Sequence, residues 1–335
     1  MEMNVTLDKV ARAAGVSSST VSRIINGSAN VSAAKRETVL RIMSQLNYQP
    51  NVLARGLASG RTMSLGVLTQ DISSPFYGST LRGIEAALQG SGYHPIFISG
   101  HWRLQEELEA LDFLLSRRVD GMIVLGGGAP DARLQEVAHR LPMVVLGRSV
   151  PGLEDQCLRL DNFAGAVKAT RHLLELGHRN IAHIAGEPSH RDAQDRLEGY
   201  KAVLHAAHLA FNPDLVQTGD FHEASGFLAT IRLVEGCTLF SAIFAANDQM
   251  AYGARLALNR KGLRVPEDIS LVGFDDLPSS MYTTPPLTTV QQPVEEMGRA
   301  AARGVLRLLR GEQAQIRQME TRLIIRESTV LRRSS

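Results

Sequence analysis

The chain of 335 residues has few cysteines and no long apolar run, and these shortages exclude several classes of protein. Its two cysteines, Cys157 and Cys237, lie far apart in sequence, so we expect reduced thiols rather than a disulfide framework. No apolar segment is long enough to span a membrane, and the start MEMNVTLDKV lacks the apolar stretch of an export signal. We therefore expect a cytoplasmic protein with no membrane partner.

The sequence also lacks the motifs of common enzymes. GxxxxGKS/T, a GxGxxG that follows a strand, GxSxG and HExxH are all absent. The ten histidines are scattered without metal-ligand spacing, which predicts surface or helix-face positions for them. The three glycines at 126–128 are interpreted as a loop and not as a phosphate site. We expect no catalytic residue, no metal and no cofactor.

Residues 6–27 have the pattern of two short amphipathic helices joined by a turn. Thr6 and Ser17 are placed to cap the two helices, and Gly15 supplies the backbone freedom of the turn. The apolar positions are Leu7, Val10, Ala11 and Ala14 in the first helix and Val21, Ile24 and Ile25 in the second. A third helix over about 32–46 would close a small core. This pattern predicts a helix-turn-helix domain.

Positive charge is concentrated at the same end of the chain. Residues 1–61 contain eight Lys or Arg and three acidic residues, whereas the remaining residues contain 28 basic and 31 acidic ones. Attraction to DNA phosphates requires such a local excess more than a high overall charge. The N-terminal domain is therefore predicted to bind DNA, and the alternative is an ordinary basic three-helix domain.

Three segments carry a resemblance to a known family: VARAAGVSSSTVSRIING at 10–27, LNYQPN at 46–51, and the alanine and leucine of NVLARGL at 51–57. They are similar to the headpiece of the lactose-repressor/galactose-repressor (LacI/GalR) family of bacterial transcription regulators. The resemblance implies that Ser18, Ser19 and Arg23 contact base edges. It also implies that the DNA phosphates are held by Ser17, Thr20, Ser22 and Asn26.

Residues 50–61 are interpreted as a hinge. Asn51 can cap a short helix in which Ala54 and Leu57 share a face, but a helix of this length is marginal by itself. The resemblance implies that the hinge folds on the operator and that Leu57 wedges into the minor groove. A plain interdomain linker is the alternative. The expected DNA-binding residues are Thr6, Ser17, Ser18, Ser19, Thr20, Ser22, Arg23, Asn26, Asn51, Ala54, Arg55 and Leu57.

From about residue 63 onward, short apolar runs alternate with helical segments, which predicts parallel sheets with helices on both faces. The runs are 64–69, 94–99, 121–127, 142–147, 180–186, 241–247 and 269–274, with a last strand at about 321–327. The helical segments are 77–90, 103–118, 131–140, 162–177, 193–208, 223–235 and 248–261. So long a region exceeds one core, and we expect an α/β fold with two doubly wound lobes.

The resemblance extends over this region and implies lobes of the periplasmic-binding-protein type with three crossings, near 161, 290 and 321. We expect a headpiece at 1–49, a hinge at 50–61 and an effector-binding core at 62–335. Within the core, the N-lobe is expected at about 62–161 and 293–320, and the C-lobe at about 162–290 and 321–330.

Polar residues follow several strands, where ligands bind in open parallel sheets. Carboxylate, amide and guanidinium groups can each engage adjacent hydroxyls, so a sugar is the expected ligand. The resemblance assigns effector contacts to Arg196 in RLEGY, Asn247 in ANDQM and Asp275 in GFDD, with Gln292 a weaker match. The expected effector-binding residues are Asp71, Phe76, Arg148, Asp161, Arg196, Phe221, Asn247, Asp275 and Gln292. Trp102 is a further candidate for a flat surface under a sugar ring.

Local roles are the alternative for these residues. Asn247 and Asp275 would then only cap the helices that follow them, and the aromatic side chains would only plug the lobe interface. Asp248 and Asp276 are expected to bond locally rather than to touch the ligand.

The resemblance implies a ligand-responsive regulator, which we interpret as a repressor. It would bind a palindromic operator as a homodimer and be switched allosterically by a ligand in the cleft. PGLEDQCLRLD and DAQDRLEGY look most like galactose-repressor relatives, which favours a sugar or glycoside. GDFHEASG resembles the purine-repressor version, so a purine corepressor stacked on Phe221 is the alternative. A further alternative is a sugar-binding protein or an enzyme without a DNA role.

The chain ends soon after its last expected strand, which favours a dimer over a tetramer.

Overall fold

The computed structural model describes residues 5–25, 31–48, 60–316 and 318–332. The chain divides into two compact units, Met1–Met63 and Ser64–Ser335. Residues 50–59 of the expected hinge lie outside the described residues, as do the expected DNA contacts Asn26, Asn51, Ala54, Arg55 and Leu57. In the described ranges, no helix is long and apolar enough to cross a membrane.

The first unit contains three helices, α1 (Leu7–Ala13), α2 (Ser18–Ile25) and α3 (Ala33–Gln45). Their apolar faces close a small core of Val10, Ala11, Val21, Ile24, Val39 and Ile42. The Thr6 side chain accepts a hydrogen bond from the backbone N–H of Lys9 and so caps α1. Gly15 has φ +66° in the turn before α2, where glycine avoids the strain of other residues. The predicted helix-turn-helix is confirmed.

The N-lobe of the second unit has a five-stranded parallel sheet in the order β2-β1-β3-β4-β5. Its strands are β1 (Ser64–Thr69), β2 (His94–Ser99), β3 (Gly121–Leu125), β4 (Met143–Leu146) and β5 (Cys157–Leu158). Its helices are α4 (Pro75–Leu88), α5 (Leu104–Ser116), α6 (Asp131–Arg140) and, from late in the chain, α11 (Val294–Leu308). Leu68 and Val124 from the sheet pack against Leu111 and Leu114 of α5.

The C-lobe has a six-stranded sheet in the order β11-β10-β9-β8-β6-β7, in which only β11 is antiparallel to its neighbour. Its strands are β6 (Ile181–Ala185), β7 (Val216–Thr218), β8 (Ala242–Ala245), β9 (Ser270–Asp275), β10 (Thr288–Gln291) and β11 (Arg322–Ile324). Its helices are α7 (Asn162–Glu175), α8 (Arg191–Ala206), α9 (Glu223–Glu235) and α10 (Asp248–Arg260), and a 3₁₀ turn spans Pro278–Tyr282. Phe244 packs toward α7 and α8, and Ile243 packs toward α9 and α10, so helices cover both faces.

The doubly wound α/β fold with two lobes is confirmed. Three strands were not predicted: β5 and β7 have only two and three residues at sheet edges, and β10 lies at a crossing. The chain passes between the sheets after β5, after β10 and before β11, and Leu160 and Met319 form a parallel bridge between two of these passages.

Two glycines allow α4 and α11 to approach closely. A Cβ added to Gly298 would lie 2.1 Å from the carbonyl oxygen of Thr80, and one added to Gly83 would lie 2.0 Å from that of Glu295. Because backbone atoms occupy both places, a side chain there would force the two helices apart.

We expect Gly298→Ala to lower the free energy of unfolding by about 1–3 kcal/mol, the usual cost of overpacking a core. Gly78→Ala on α4 is the matched control, since an added Cβ there meets no atom within 4 Å. It should instead raise the free energy of unfolding by up to about 1 kcal/mol through helix propensity. Urea unfolding measures the free energy of unfolding of both variants. Equal changes in the two variants would contradict the close packing of α4 against α11.

Candidate functional site

The start of α2 presents a cluster of hydroxyl groups. Ser17 Oγ accepts a hydrogen bond from the backbone N–H of Thr20 and lies 2.8 Å from both Ser19 Oγ and Thr20 Oγ1. Ser18 Oγ donates to Asp8 at 2.5 Å, which ties this helix to α1. Ser19 and Arg23 are exposed, while Ser18, Thr20 and Ser22 are half-buried. The predicted outward face is thus polar and partly accessible.

The second unit contains a cleft of about 720 Å³ between its two lobes, within the size range of small-molecule sites. Residues from both sheets line it at the carboxyl ends of their strands. Of the expected effector residues, the lining contains Asp71, Phe76, Arg148, Arg196, Phe221, Asn247 and Asp275. It also contains Gln70, Tyr77, Trp102, Glu107, Arg159, His190, Asp192, Asp220 and Gln249, among others.

Arg196 and Asp275 form the buried base of the C-lobe side of the cleft. The Arg196 guanidinium donates to Asn162 Oδ1 at 2.9 Å and to the carbonyl of Ala246 at 2.5 Å. Its Nη1 lies 3.9 Å from Asp275 Oδ1, and its Cζ lies 3.9 Å from the centre of the Phe274 ring. The guanidinium is thereby fixed in orientation, which reduces the entropy that binding would cost.

Asp275 ends β9 with φ +114°, a strained conformation for a residue with a side chain. Burial raises the pKa of its carboxyl to about 8, although Arg196 opposes this shift. Burial thus favours the protonated carboxyl, which can both donate and accept hydrogen bonds, as paired sugar hydroxyls require.

Asp248 lies behind this carboxyl and does not line the cleft. It accepts hydrogen bonds from the backbone N–H of Leu277 at 2.8 Å, from Ser280 at 2.6 Å and from Thr289 at 2.5 Å. Burial raises its pKa to about 7. Asp276 pairs with Arg326 at 2.6 Å, so both aspartates bond locally, as expected.

Asn247 has a local role and also faces the cleft. Its Oδ1 accepts the backbone N–H of Met250 and so caps α10, and its Nδ2 donates to the carbonyl of Phe221 at 2.9 Å. The capping expected as an alternative is therefore present in a residue that still lines the cleft.

Three aromatic rings lie nearly parallel in the cleft. The His190 ring centre is 3.8 Å from that of Trp102, with 24° between the planes, and 5.7 Å from that of Phe221, with 7°. Phe221 lies so close to Gly186 that a Cβ there would come within 2.1 Å of its ring. Trp102 and Phe221, which were expected to provide flat surfaces for a sugar ring, thus both lie in the cleft, and the His190 ring packs against both.

On the N-lobe side, the polar groups are held by the loops that follow β1, β3 and β4. Asp71 accepts the backbone N–H and the hydroxyl of Ser73. Arg148 pairs with Asp131 and donates to two backbone carbonyls. Glu107 is buried and accepts the backbone N–H groups of Gly128 and Ala129. The backbone N–H groups of Gly128 and Ala129 thus already donate to a protein carboxylate and are not free to bind a phosphate. This supports the interpretation of residues 126–128 as a loop.

Two expected effector residues do not reach the cleft lining. Asp161 is exposed, and its side chain accepts the backbone N–H of Ala164 at 2.7 Å, so it caps α7 instead. Gln292 is buried one layer behind the cleft, where its amide nitrogen Nε2 donates to Asp275 Oδ1 at 2.7 Å. Gln292 can position the Asp275 carboxyl but has no direct access to a ligand.

The histidines differ from the expectation of surface or helix-face positions. His101, His190 and His222 line the cleft, and His183 is fully buried in a stack with Tyr200 and Phe244. Burial lowers the pKa of His183 to about 4. The place of His190 in the loop between the buried strand β6 and α8, at the carboxyl end of that strand, is a signal that points to the cleft. Over the part of the chain that the structure describes, no group of three His, Cys, Asp or Glu could hold a metal ion.

Comparisons with known proteins agree with both units. A family model described as bacterial regulatory proteins, lacI family, matches residues 6–51, and one for a periplasmic binding protein-like domain matches residues 170–329. The regulator GalR of Salmonella typhimurium (strain SL1344) is 39% identical over 304 residues, which cover 90% of this chain and 89% of that protein.

Two solved structures are similar over nearly the whole chain. A lac repressor dimer bound to operator and to the anti-inducer ONPF has a TM-score of 0.87 at 31% identity, covering 98% of this chain and 100% of that one. A complex of the regulator CelR with cellobiose has a TM-score of 0.71 at 36% identity, covering 97% of this chain and 99% of that one. These relatives are transcriptional regulators and not enzymes.

Proposed function

Because this chain belongs to the lacI family of bacterial regulatory proteins, we propose that it is a cytoplasmic transcriptional repressor switched by a sugar or glycoside in its cleft. We assign the headpiece to 1–49, the hinge to 50–61 and the effector-binding core to 62–335. The observation that carries the proposal is the convergence of Arg196, Asn247 and Asp275 on one cleft from three different elements. The similar structure of the regulator CelR contains bound cellobiose.

The charge of the cleft favours a neutral ligand with many hydroxyl groups. Seven carboxyl groups and four guanidinium groups line it, so an anionic sugar phosphate or nucleotide would meet net repulsion. Ionised carboxylates only accept hydrogen bonds, and a sugar supplies many hydroxyl donors whereas a purine supplies few N–H groups. These groups favour a sugar over a purine.

The headpiece would supply operator recognition. Exposed Arg23 can contact a guanine through two hydrogen bonds, and the hydroxyl cluster at the start of α2 can contact phosphates and bases. The Ser18 hydroxyl donates to Asp8 and can still accept a hydrogen bond from a base, but it must leave Asp8 to donate one.

The test has two stages. Selection from a random DNA pool should yield a nearly palindromic site with half-sites about one helical turn apart. Anisotropy titration of that site is then repeated with D-galactose, D-glucose, methyl β-D-galactoside, cellobiose and hypoxanthine. A change in operator affinity with a sugar supports the proposal, whereas a response to hypoxanthine alone would favour the purine corepressor. DNA without a preferred sequence would contradict the repressor role.

An apolar surface on the C-lobe fits a second copy of the chain. Tyr252 and Leu256 line two adjoining grooves, and the Tyr252 hydroxyl lies 2.7 Å from Ser280 Oγ in the 3₁₀ turn that carries Tyr282. Tyr282 is 82% exposed and Met281 is 58% exposed. Monomers rarely leave such patches uncovered, and the similar lac repressor structure is a dimer. We assign the homodimer contact to this surface.

Tyr282→Asp should raise the dimer dissociation constant by about 30-fold or more, since buried aromatic residues at interface centres contribute about 2 kcal/mol or more. Leu239→Asp is the control, because Leu239 is 85% exposed and lies outside the two grooves. Sedimentation equilibrium measures both constants. An unchanged dimer in Tyr282→Asp would exclude this surface as the dimer contact.

A further inference from the structure

The ring of His190 connects the two lobes across the cleft. Trp102 belongs to the N-lobe loop between β2 and α5, whereas His190 and Phe221 follow strands β6 and β7 of the C-lobe. The His190 imidazole contacts both aromatic rings in nearly parallel geometry. It therefore covers part of the two flat surfaces on which the apolar face of a sugar would stack.

His190 gains little polar stabilisation from this position. Its Nδ1 is buried and has no hydrogen-bond partner in the part of the chain that the structure describes. A buried polar nitrogen without a partner is less stable than the same group in water. Burial also lowers the pKa of the imidazole, against the nearby charge of Glu187. The stacking of the imidazole is thus offset by the desolvation of its Nδ1. When the side chain moves into solvent, Nδ1 regains hydrogen bonds to water.

We propose that His190 competes with the effector for one place in the cleft. The imidazole and the apolar face of a sugar ring are alternative occupants of the ring surfaces of Trp102 and Phe221. The inference rests on the proposed function, since it requires a sugar in this cleft. It adds that the effector is a neutral sugar with at least one C–H face, and that His190 sets how tightly such a ring binds.

The competition also couples ligand binding to the contact between the lobes. When a sugar takes the place of the imidazole, the Trp102–His190 contact is lost and contacts through the ligand replace it. Because the two occupants exclude each other, a change that weakens the ring contact strengthens sugar binding by up to the same factor.

The experiment uses the full chain and its own fluorophore. Trp102 is the single tryptophan, so tryptophan emission reports this contact directly. Galactose, glucose, methyl β-D-galactoside and cellobiose are titrated into the wild type and into His190→Ala. We expect His190→Ala to bind the responding sugar about three- to tenfold more tightly, since the two imidazole stacking contacts, offset in part by desolvation of Nδ1, no longer have to be broken. In the wild type, the sugar should change the Trp102 emission as the imidazole leaves the indole.

The matched control is His205→Ala, which makes the same change at an exposed position of α8 and should keep the wild-type dissociation constant. His190→Ser and the unfolding midpoints without sugar separate a folding defect from a binding effect. Weaker or unchanged sugar binding in folded His190→Ala would overturn the competition, while sugar binding by the wild type would leave the proposed function intact. If no sugar binds either protein, the proposed effector class fails and the competition fails with it.

Discussion

Asp275→Ala should abolish the response of operator affinity to sugar and weaken sugar binding by about a hundredfold or more. The expectation follows from two hydrogen bonds between this carboxyl and adjacent sugar hydroxyls, because a buried partner that is left unsatisfied costs about 1–3 kcal/mol. Arg196 also loses its carboxyl neighbour at 3.9 Å in the same change, so the guanidinium is held less firmly at the base of the cleft. Operator affinity without sugar should stay near the wild-type value.

Asp161→Ala is the control for this prediction, because it removes the same side chain from a residue outside the cleft lining. Loss of the cap on α7 should lower the free energy of unfolding by about 0.5–2 kcal/mol. Sugar affinity should not change. Calorimetric titration of both variants, with thermal unfolding to verify folding, distinguishes them. Equal losses of sugar affinity would show that Asp275 acts through stability and not through ligand contact.

Arg23→Ala should weaken operator binding far more than binding to unrelated DNA. One bidentate contact to guanine contributes about 1–3 kcal/mol, and a dimer on a palindrome makes the contact twice. The expected loss is thus about 30-fold to 10⁴-fold on the operator. Arg23 is exposed on α2, so its removal should leave the headpiece core intact.

Arg12→Ala provides the electrostatic control for this prediction. Arg12 is also exposed and carries the same charge, but it lies on α1. Its removal should reduce affinity for operator and unrelated DNA by similar factors, with a smaller slope of affinity against salt. Anisotropy titrations at several salt concentrations measure both effects. A proportional loss on both DNAs for Arg23→Ala would rule out base recognition by this residue.

The fold was largely predictable because its signals are local. The amphipathic spacing of α6 and α9 predicted bounds that agree with the structure, and β1 and β2 were likewise found as apolar runs. Strands β5 and β7 were missed because two or three residues at a sheet edge carry no pattern of their own. Their pairing depends on neighbouring strands that are distant in sequence.

The site was less predictable because it depends on contacts across the cleft. Asp161 and Asp275 both lie at or just beyond the carboxyl end of a strand, yet one caps a helix and the other ends β9 in a strained conformation facing the ligand space. Sequence patterns do not separate these two environments. His190 was missed for a similar reason, since its position depends on Trp102 from the other lobe.

The continuity of each part along the chain determines how readily evolution or design can exchange it. The N-terminal unit is a single stretch, Met1–Met63, so one recombination point near residue 63 transfers DNA recognition as a module. The N-lobe instead draws α11 from beyond the C-lobe strand β10, and its packing on α4 uses glycines from both stretches. Exchanging a lobe requires several matched breakpoints. A single splice can therefore pair a new DNA-binding unit with a whole effector-binding core, whereas effector specificity within one core changes by substitution in the cleft.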